Sequence, residues 1–406
     1  MKDNIENIVG IEIGTGYIQC SVKWKTREIQ PYKIENKERL SSLLIYKKKS
    51  KEFFVGDQIE YEDGDIVFQD WENLFSKKQE IIVENEYYLP EQLFCKMICC
   101  YLKTIQGENP IDGIVFITEK DFIKTNTFQK TLKEQFFSEK CKGNLEVVEI
   151  IGYETAYTSF VLSQENCHGA RSVGFIQFED DITYRYLGKN AKTNLLQIEK
   201  ISYLKIPHFN TKEEKDEKIA QIIKKLLYER KTAILYLTGK GFTGNWMKKT
   251  LQILCYNRRA FLGQSLYTKG GIQYMNFKLS CQLPPIIAEG LCQYDIGIVC
   301  TQNGEKRLTP MIRGGYEWYL QQGEVEVMIE KNEGIEIVFL HLKSQEMKRE
   351  WIVLDGLPKR PDRTTRLKIQ VYNTGEKTGY LIIKDVGFGT LFPTSHKIWV
   401  HTFCLR

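Results

Sequence analysis

The sequence has little of what metal-binding and catalytic signatures usually contain. It has only five histidines in 406 residues, and its eleven cysteines include no Cys-x-x-Cys pair. The sequence therefore carries no signature of a zinc site or of a dithiol redox motif. Cys95 and Cys99 would share one helix face and leave a metal or redox pair open. Because the cysteines lie inside apolar stretches such as residues 94–100, reduced core thiols are the favoured interpretation.

An excess of charge of one sign is also missing. The chain has 57 Lys and Arg against 52 Asp and Glu, a formal net charge of +5. A nucleic-acid surface needs clustered positive charge, so this balance argues against a nucleic-acid partner. No apolar run approaches the length of a membrane-spanning helix, and no apolar signal core follows the charged N-terminus. We therefore expect a cytoplasmic protein without a membrane partner.

The most informative stretch present is residues 8–22, near the N-terminus. Apolar and polar residues alternate on both sides of Gly14-Thr15-Gly16, which predicts a β-hairpin with a glycine turn. Glycines in such a turn leave backbone N–H groups accessible to a ligand such as phosphate. A hairpin turn without a ligand is the commoner meaning of Gly-x-Gly, so the rest of the chain has to decide.

Several later segments repeat the order of a known family. A strand leads into Tyr153-Glu154-Thr155-Ala156, which opens a helix, and a second strand leads into Thr238-Gly239-Lys240-Gly241. A turn rich in glycine and proline at residues 354–361 is followed by alternating strands up to Asp385. With the N-terminal hairpin, this series resembles the seventy-kilodalton heat-shock chaperones of the actin-like ATPase superfamily.

The resemblance implies a fold and its boundaries. Residues 1–278 would form an α/β actin-like domain of two lobes, reduced by the loss of most of one subdomain. Residues 279–290 would be a linker. Residues 291–406 would form an antiparallel β-sandwich, which regular short strands and turns also favour. This domain would resemble a chaperone peptide-binding domain without its helical lid.

The resemblance also implies a nucleotide site, which is degenerate here. The residues that would contact ATP or ADP are Gly14, Thr15, Gly16, Gly239 and Gly241, and those that would hold Mg²⁺ are Glu12, Asp180 and Asp181. The first-loop aspartate of the family is Glu12, and the second-loop glycines are replaced by residues 179–181, which are Glu-Asp-Asp. The place of the family's catalytic lysine falls nearest Trp71. We therefore assign no catalytic residue and expect nucleotide binding to be weak or lost.

Two functions from different classes follow. The first is a chaperone-like protein that binds polypeptide, or a fixed protein partner, without efficient ATP hydrolysis. The alternative is an active ATP-dependent chaperone ATPase whose altered metal site uses Glu12, Glu179, Asp180 and Asp181. A subunit of an actin-like polymer is disfavoured by the long β domain.

Overall fold

The computed structural model describes residues 5–34, 36–56, 59–167, 172–203, 206, 208–330 and 334–405. The chain forms two compact units. The first contains Met1–Tyr184 and Ile201–Leu283, and the second contains Arg185–Lys200 and Pro284–Arg406. The expected mixed α/β architecture with several antiparallel sheets is confirmed.

All α-helices of the described ranges belong to the first unit. They are α1 (Trp71–Lys77), α2 (Pro90–Gln106), α3 (Asn126–Ser138), α4 (Tyr153–Leu162), α5 (Lys212–Glu229), α6 (Lys248–Cys255) and α7 (Leu266–Leu279). Local sequence explains where several begin. Pro90 starts α2, where a missing N–H costs nothing. The side chain of Thr211 accepts a hydrogen bond from Glu214 N at 3.1 Å and so caps α5. None of these helices combines the length and apolar character that crossing a bilayer would need.

Of the first sixteen strands, all begin in the first unit except β14, which begins in the second unit and ends in the first. They are β1 (Ile8–Ile13), β2 (Tyr17–Lys23), β3 (Gln30–Pro31), β4 (Arg39–Ser41), β5 (Leu44–Lys47), β6 (Glu52–Val55), β7 (Ile66–Phe68), β8 (Ile81–Val83), β9 (Glu86–Tyr88), β10 (Gly113–Ile117), β11 (Val147–Ile151), β12 (Val173–Phe178), β13 (Ile182–Lys189), β14 (Leu196–Tyr203), β15 (Ile234–Thr238) and β16 (Arg259–Leu262). The predicted N-terminal hairpin is confirmed as β1 and β2, which pair antiparallel.

Two larger sheets of the first unit are built in the same way. The first has the order β11-β10-β1-β2-β3, and β4 also pairs with β2. The second has the order β16-β15-β12-β13-β14, and β17 (Ile286–Ile287) adds to β14 within the second unit. In each sheet, the first strand of a run of consecutive strands pairs parallel with a later strand, which in turn pairs parallel with another. β1 pairs with β10 and β10 with β11 in one sheet, and β12 pairs with β15 and β15 with β16 in the other. The remaining sheets, β6-β5-β7 and β8-β9, are small.

Helices α4 and α7 pack closely because α7 carries two glycines at its centre. A Cβ on Gly270 would lie 2.0 Å from the carbonyl oxygen of Ala156, and a Cβ on Gly271 would lie 2.6 Å from the Ile117 side chain. These glycines let the backbone of α7 approach both α4 and the first sheet. The packing of these helices brings together Tyr153 of α4 and Tyr267 of α7, which belong to the candidate site described below.

The second unit contains the last strands, in two antiparallel sheets. The strands are β18 (Tyr294–Gln302), β19 (Glu305–Ile312), β20 (Gln322–Ile329), β21 (Gly334–His341), β22 (Met347–Val353), β23 (Thr365–Asn373), β24 (Thr378–Asp385) and β25 (Ile398–Cys404). One sheet has the order β19-β18-β21-β22 and the other β20-β23-β24-β25. Their inward side chains, among them Ile337, Phe339 and Ile369, form a common core. The expected antiparallel β region is confirmed.

An ion pair inside the second unit anchors the predicted turn at residues 354–361. Arg360 donates two hydrogen bonds to Asp385, at 2.9 and 2.8 Å, and both side chains are almost completely buried. Burial works against the charge of Asp385, but Arg360 and the Ser395 hydroxyl overcome this and hold the pKa of Asp385 well below its usual range. The turn is thereby tied to the end of β24.

We predict that Gly270→Ala lowers the free energy of unfolding by about 2 kcal/mol, since the new methyl group has no space against Ala156. Alanine otherwise favours a helix over glycine, so an increase would be expected without the clash. Gly263→Ala is the matched control, because a Cβ there meets nothing within 4 Å. Urea unfolding of the three proteins measures the difference. Equal midpoints for Gly270→Ala and the wild type would contradict close packing of α4 and α7.

Candidate functional site

Glu12 is the buried carboxyl group of the candidate site. It lies on β1, and the hydroxyl groups of Tyr17 and Tyr153 donate hydrogen bonds to its Oε1 at 2.8 and 3.3 Å. Burial raises the pKa of Glu12 to about 7, although the Tyr17 hydrogen bond and the charge of Arg39 oppose the rise. Gln19, directly opposite on β2, has a buried Oε1 without a hydrogen bond in the described ranges. The neutral form of Glu12 would carry a hydroxyl that can donate a hydrogen bond, on the same face of the sheet as Gln19 Oε1.

The ring of Tyr17 covers the N-terminal glycine turn. A Cβ on Gly14 would lie 2.2 Å from this ring, so the glycine is needed for the ring to lie there. Gly14 N donates a hydrogen bond to Tyr17 O at 3.0 Å and closes the turn. Gly16 adopts φ +75° and, like Thr15, is exposed. The N–H group of Gly14, in the predicted phosphate loop, therefore makes a hydrogen bond within the hairpin itself.

Arg39 and Glu179 form the central ion pair of the site. Arg39 is on β4, and its guanidinium donates to both carboxylate oxygens of Glu179, one of them at 2.8 Å. The same guanidinium lies over the ring of Tyr17, 4.3 Å from its centroid. A bidentate ion pair combined with this stacking is a strong arrangement for arginine. It connects the first sheet to the turn after β12 in the second sheet.

The glycines at residues 239 and 241 have a structural reason to be glycine. Gly239 has φ +109°. A Cβ on Gly239 would lie 2.2 Å from Phe178 O, and one on Gly241 would lie 2.3 Å from the Phe178 ring. Gln264 accepts a hydrogen bond from Gly239 N at 3.2 Å. The close approach of Phe178 therefore accounts for both glycines, and their predicted contact with a nucleotide stays a prediction.

Two of the three carboxylates after β12, those of Glu179 and Asp180, are paired with cations of the chain. Glu179 binds Arg39 and also accepts from Lys240 N at 3.3 Å. Asp180 is exposed and lies 2.7 Å from Lys240 Nζ. The backbone oxygen of Asp181 accepts a hydrogen bond from Glu179 N and closes the turn.

The predicted magnesium ligands are Glu12, Asp180 and Asp181. In the part of the chain that the structure describes, no three His, Cys, Asp or Glu side chains are close enough together to hold a metal ion. Glu12 is buried under two tyrosines, and Asp180 is paired with Lys240 on the surface. The structure does not bring these carboxylates into one metal-binding group, and their role with Mg²⁺ stays a prediction.

Trp71 lies nearest the predicted place of the family's lysine, and it belongs to the core. Its ring packs edge-on against Phe94, and its Nε1 donates to Ser42 O at 2.7 Å. Lys77 and Lys78 follow at the exposed end of α1. The position of any catalytic lysine stays open.

Sequence reasoning missed the side chains that close the site. Tyr153 and Tyr267 stack with ring centroids 4.2 Å apart, and Tyr267 donates a hydrogen bond to Gln177 Oε1 at 2.9 Å. Arg39 is separated from Glu179 by 140 residues. The available signal was the unusual run of carboxylates after β12, which required a nearby cation.

Two family models match the chain. Residues 26–283 match the C-terminal part of a family of unknown function (DUF5716), and residues 291–405 match a domain of unknown function (DUF8552). No curated protein matches the chain.

We predict that Glu12→Gln makes the protein more stable above pH 7 and leaves stability nearly unchanged below pH 4.5. The pKa of Glu12 is about 7 in the folded chain against an ordinary value of 4.5, so the folded state loses stability as pH rises between these values. The difference of about 2.5 units corresponds to at most about 3 kcal/mol, and the amide cannot lose a proton. Urea unfolding at pH 4.5, 6 and 8 measures it.

Glu28→Gln is the control for this substitution, because Glu28 is exposed. A Glu12→Gln protein that is less stable than the wild type at pH 8 would show that the ionised carboxylate is needed there.

Proposed function

The chain belongs to the family of unknown function DUF5716, whose model spans residues 26–283, and we propose that it is a polypeptide-binding protein that does not hydrolyse ATP efficiently. Membership of this family does not itself indicate an activity. We propose further that its first unit has an actin-like fold of two lobes, related to that of the heat-shock chaperones. The second unit would bind an extended polypeptide or a protein partner along one edge strand.

The repeated topology of the first unit supports the actin-like proposal. Both large sheets contain consecutive strands followed by two parallel strands, and helices α4 and α7 pack together. A duplicated α/β unit with two central helices is what the resemblance implies. In this arrangement Glu12 would belong to one lobe and Glu179 to the other.

The contents of the site support the loss of nucleotide turnover. A phosphate that approached the Gly14–Gly16 turn would meet the ring of Tyr17, which lies against Gly14. Arg39 lies over that ring and holds it in place, and it also pairs with the carboxylate of Glu179 and so balances its charge. Phosphoryl transfer needs Mg²⁺, free donors for the phosphates and a group that positions the nucleophile. In the proposal, side chains of the chain itself would occupy these places instead.

The observation that carries the binding proposal is the edge strand β25. Its outward side chains are uncharged, and Ile398 and Val400 are 58% and 65% exposed. In the described ranges β25 pairs with β24 alone, and its other edge has no backbone hydrogen bond to another segment. Inward contacts hold the strand in place: Trp399 donates to Asp355 O at 3.1 Å, and Phe403 belongs to the core. Such an edge is suited to the addition of an extended peptide as a further strand.

The other three edge strands of the sandwich carry the usual protection against pairing. β19 contains Pro310, which removes a backbone donor. β20 presents Glu324 and Glu326 outward, and β22 presents Arg349 outward among the exposed Met347, Trp351 and Val353. Charged or proline-containing edges discourage pairing with another chain. β25 differs from the other three in that its outward face carries neither a charged residue nor a proline, and it is the strand that we propose for the partner.

We predict that the full chain binds reduced, carboxymethylated α-lactalbumin, a permanently unfolded polypeptide, and that Val400→Lys weakens this binding at least fivefold. A lysine on the outward face of β25 opposes strand addition. Leu391→Lys is the matched control, because Leu391 is 80% exposed, lies outside the strands and receives the same charge. Fluorescence anisotropy of the labelled polypeptide at 150 mM salt measures both.

Equal weakening by the two lysine variants would contradict the assignment to β25. Steady release of phosphate from ATP, stimulated by the unfolded polypeptide, would instead favour the alternative, an active chaperone ATPase.

A further inference from the structure

A cavity of about 600 Å³ lies in the second unit, on the face of the β18–β21 sheet that points away from the sandwich core. Asp295 and Leu340 are direct neighbours on β18 and β21 and share this outward face. Gly297, two residues after Asp295, leaves the same face without a side chain, because a Cβ there would lie 2.4 Å from Thr309 O. Apolar walls complete the cavity and are formed by Leu195, Pro285, Leu308, Pro310, Leu340 and Leu342.

The turn that leads from β13 to β14 is held rigidly beside the cavity. The side chain of Asn190 accepts hydrogen bonds from Lys192 N and Thr193 N, at 3.0 and 3.1 Å. Asn190 N also donates to Leu195 O at 2.8 Å. These bonds fix the positions of Lys192 and Leu195 at the cavity.

The segment around Pro285 is fixed as well. Ile286 N donates to Gly315 O at 3.0 Å, and β17 pairs with β14. Gly315 has φ +85°, and a Cβ there would lie 2.7 Å from Pro285. Both walls are therefore preformed, as expected for a ligand site of this size.

The polar groups of the cavity are arranged by charge. Asp295 is half-buried, and its Oδ1 accepts from Gly314 N at 2.8 Å, while its Oδ2 makes no hydrogen bond within the described ranges. Burial raises the pKa of Asp295, although the hydrogen bond from Gly314 N and the charge of Arg313 oppose the rise. Lys192 and Arg313 are exposed members of the lining, and neither side chain has an ion pair or hydrogen bond in the described part of the chain. The cavity thus offers one half-buried carboxylate and two exposed cations beside leucine and proline side chains.

We infer that this cavity binds a short aliphatic peptide with both termini free, its ammonium group at Asp295 and its carboxylate at Lys192 and Arg313. The leucine and proline walls would take the aliphatic side chains. A ligand without an ammonium group would leave Oδ2 of the half-buried Asp295 without a hydrogen bond, and a ligand without a carboxylate would lose its attraction to the two cations. The inference does not rest on β25 or on the proposed function.

The test is calorimetric titration of the full chain at pH 7 with three probes: leucyl-leucine, N-acetyl-leucyl-leucine and leucyl-leucine amide. We expect one leucyl-leucine to bind per chain. Acetylation removes the ammonium group and amidation removes the carboxylate, so each should weaken binding at least tenfold. No binding of leucyl-leucine at millimolar concentration, or equal affinity for the three probes, would overturn the inference.

Two variants assign the charges. Asp295→Asn should abolish the preference for leucyl-leucine over its acetylated form while it keeps the preference over the amide. Arg313→Gln should reduce the preference over the amide alone. Asp355→Asn is the control, because Asp355 is an exposed carboxylate outside the cavity lining. If both preferences survive in Asp295→Asn, Asp295 is not the group that binds the amine.

Discussion

The ion pair between Arg39 and Glu179 determines the character of the candidate site. Because Arg39 holds Glu179 with two hydrogen bonds and also lies over Tyr17, it fixes the tyrosine ring against the glycine turn. The tyrosine in turn buries Glu12, and this burial raises the pKa of that carboxyl group. One arginine thereby connects three features that would otherwise be unrelated: the covered turn, the buried acid and the carboxylate of Glu179 after β12.

The same arrangement explains how a run of Glu-Asp-Asp is tolerated after β12. Three adjacent carboxylates repel one another unless cations lie close to them. Arg39 and Lys240 provide that positive charge from within the chain. This internal neutralisation supports the proposal of a site that persists as a structural joint after the loss of nucleotide turnover.

Much of the secondary structure could be predicted from the sequence, because its signals are local. The alternation in residues 8–22 identified the first hairpin, and the Thr211–Glu214 pair identified the start of α5. The strands of the second unit were visible from their alternation and turns. The pairing of Arg39 with Glu179 was not predictable, because it depends on how two sheets far apart in sequence come together. The membership of residues 185–200 in the second unit has the same origin, since it depends on the pairing of β14 with β17.

The most direct test of the proposed occupied site is thermal unfolding of the full chain with and without 5 mM Mg-ATP, repeated with Mg-ADP. A ligand present at about one hundred times its dissociation constant would stabilise the folded chain by about 2.7 kcal/mol, a shift of a few degrees. In the proposed arrangement Tyr17, Arg39 and Glu179 would fill the places that phosphates need, and we therefore predict the same melting temperature in all three samples. A reproducible rise with either nucleotide would contradict this view and would mean that the Arg39–Glu179 pair opens to admit a ligand.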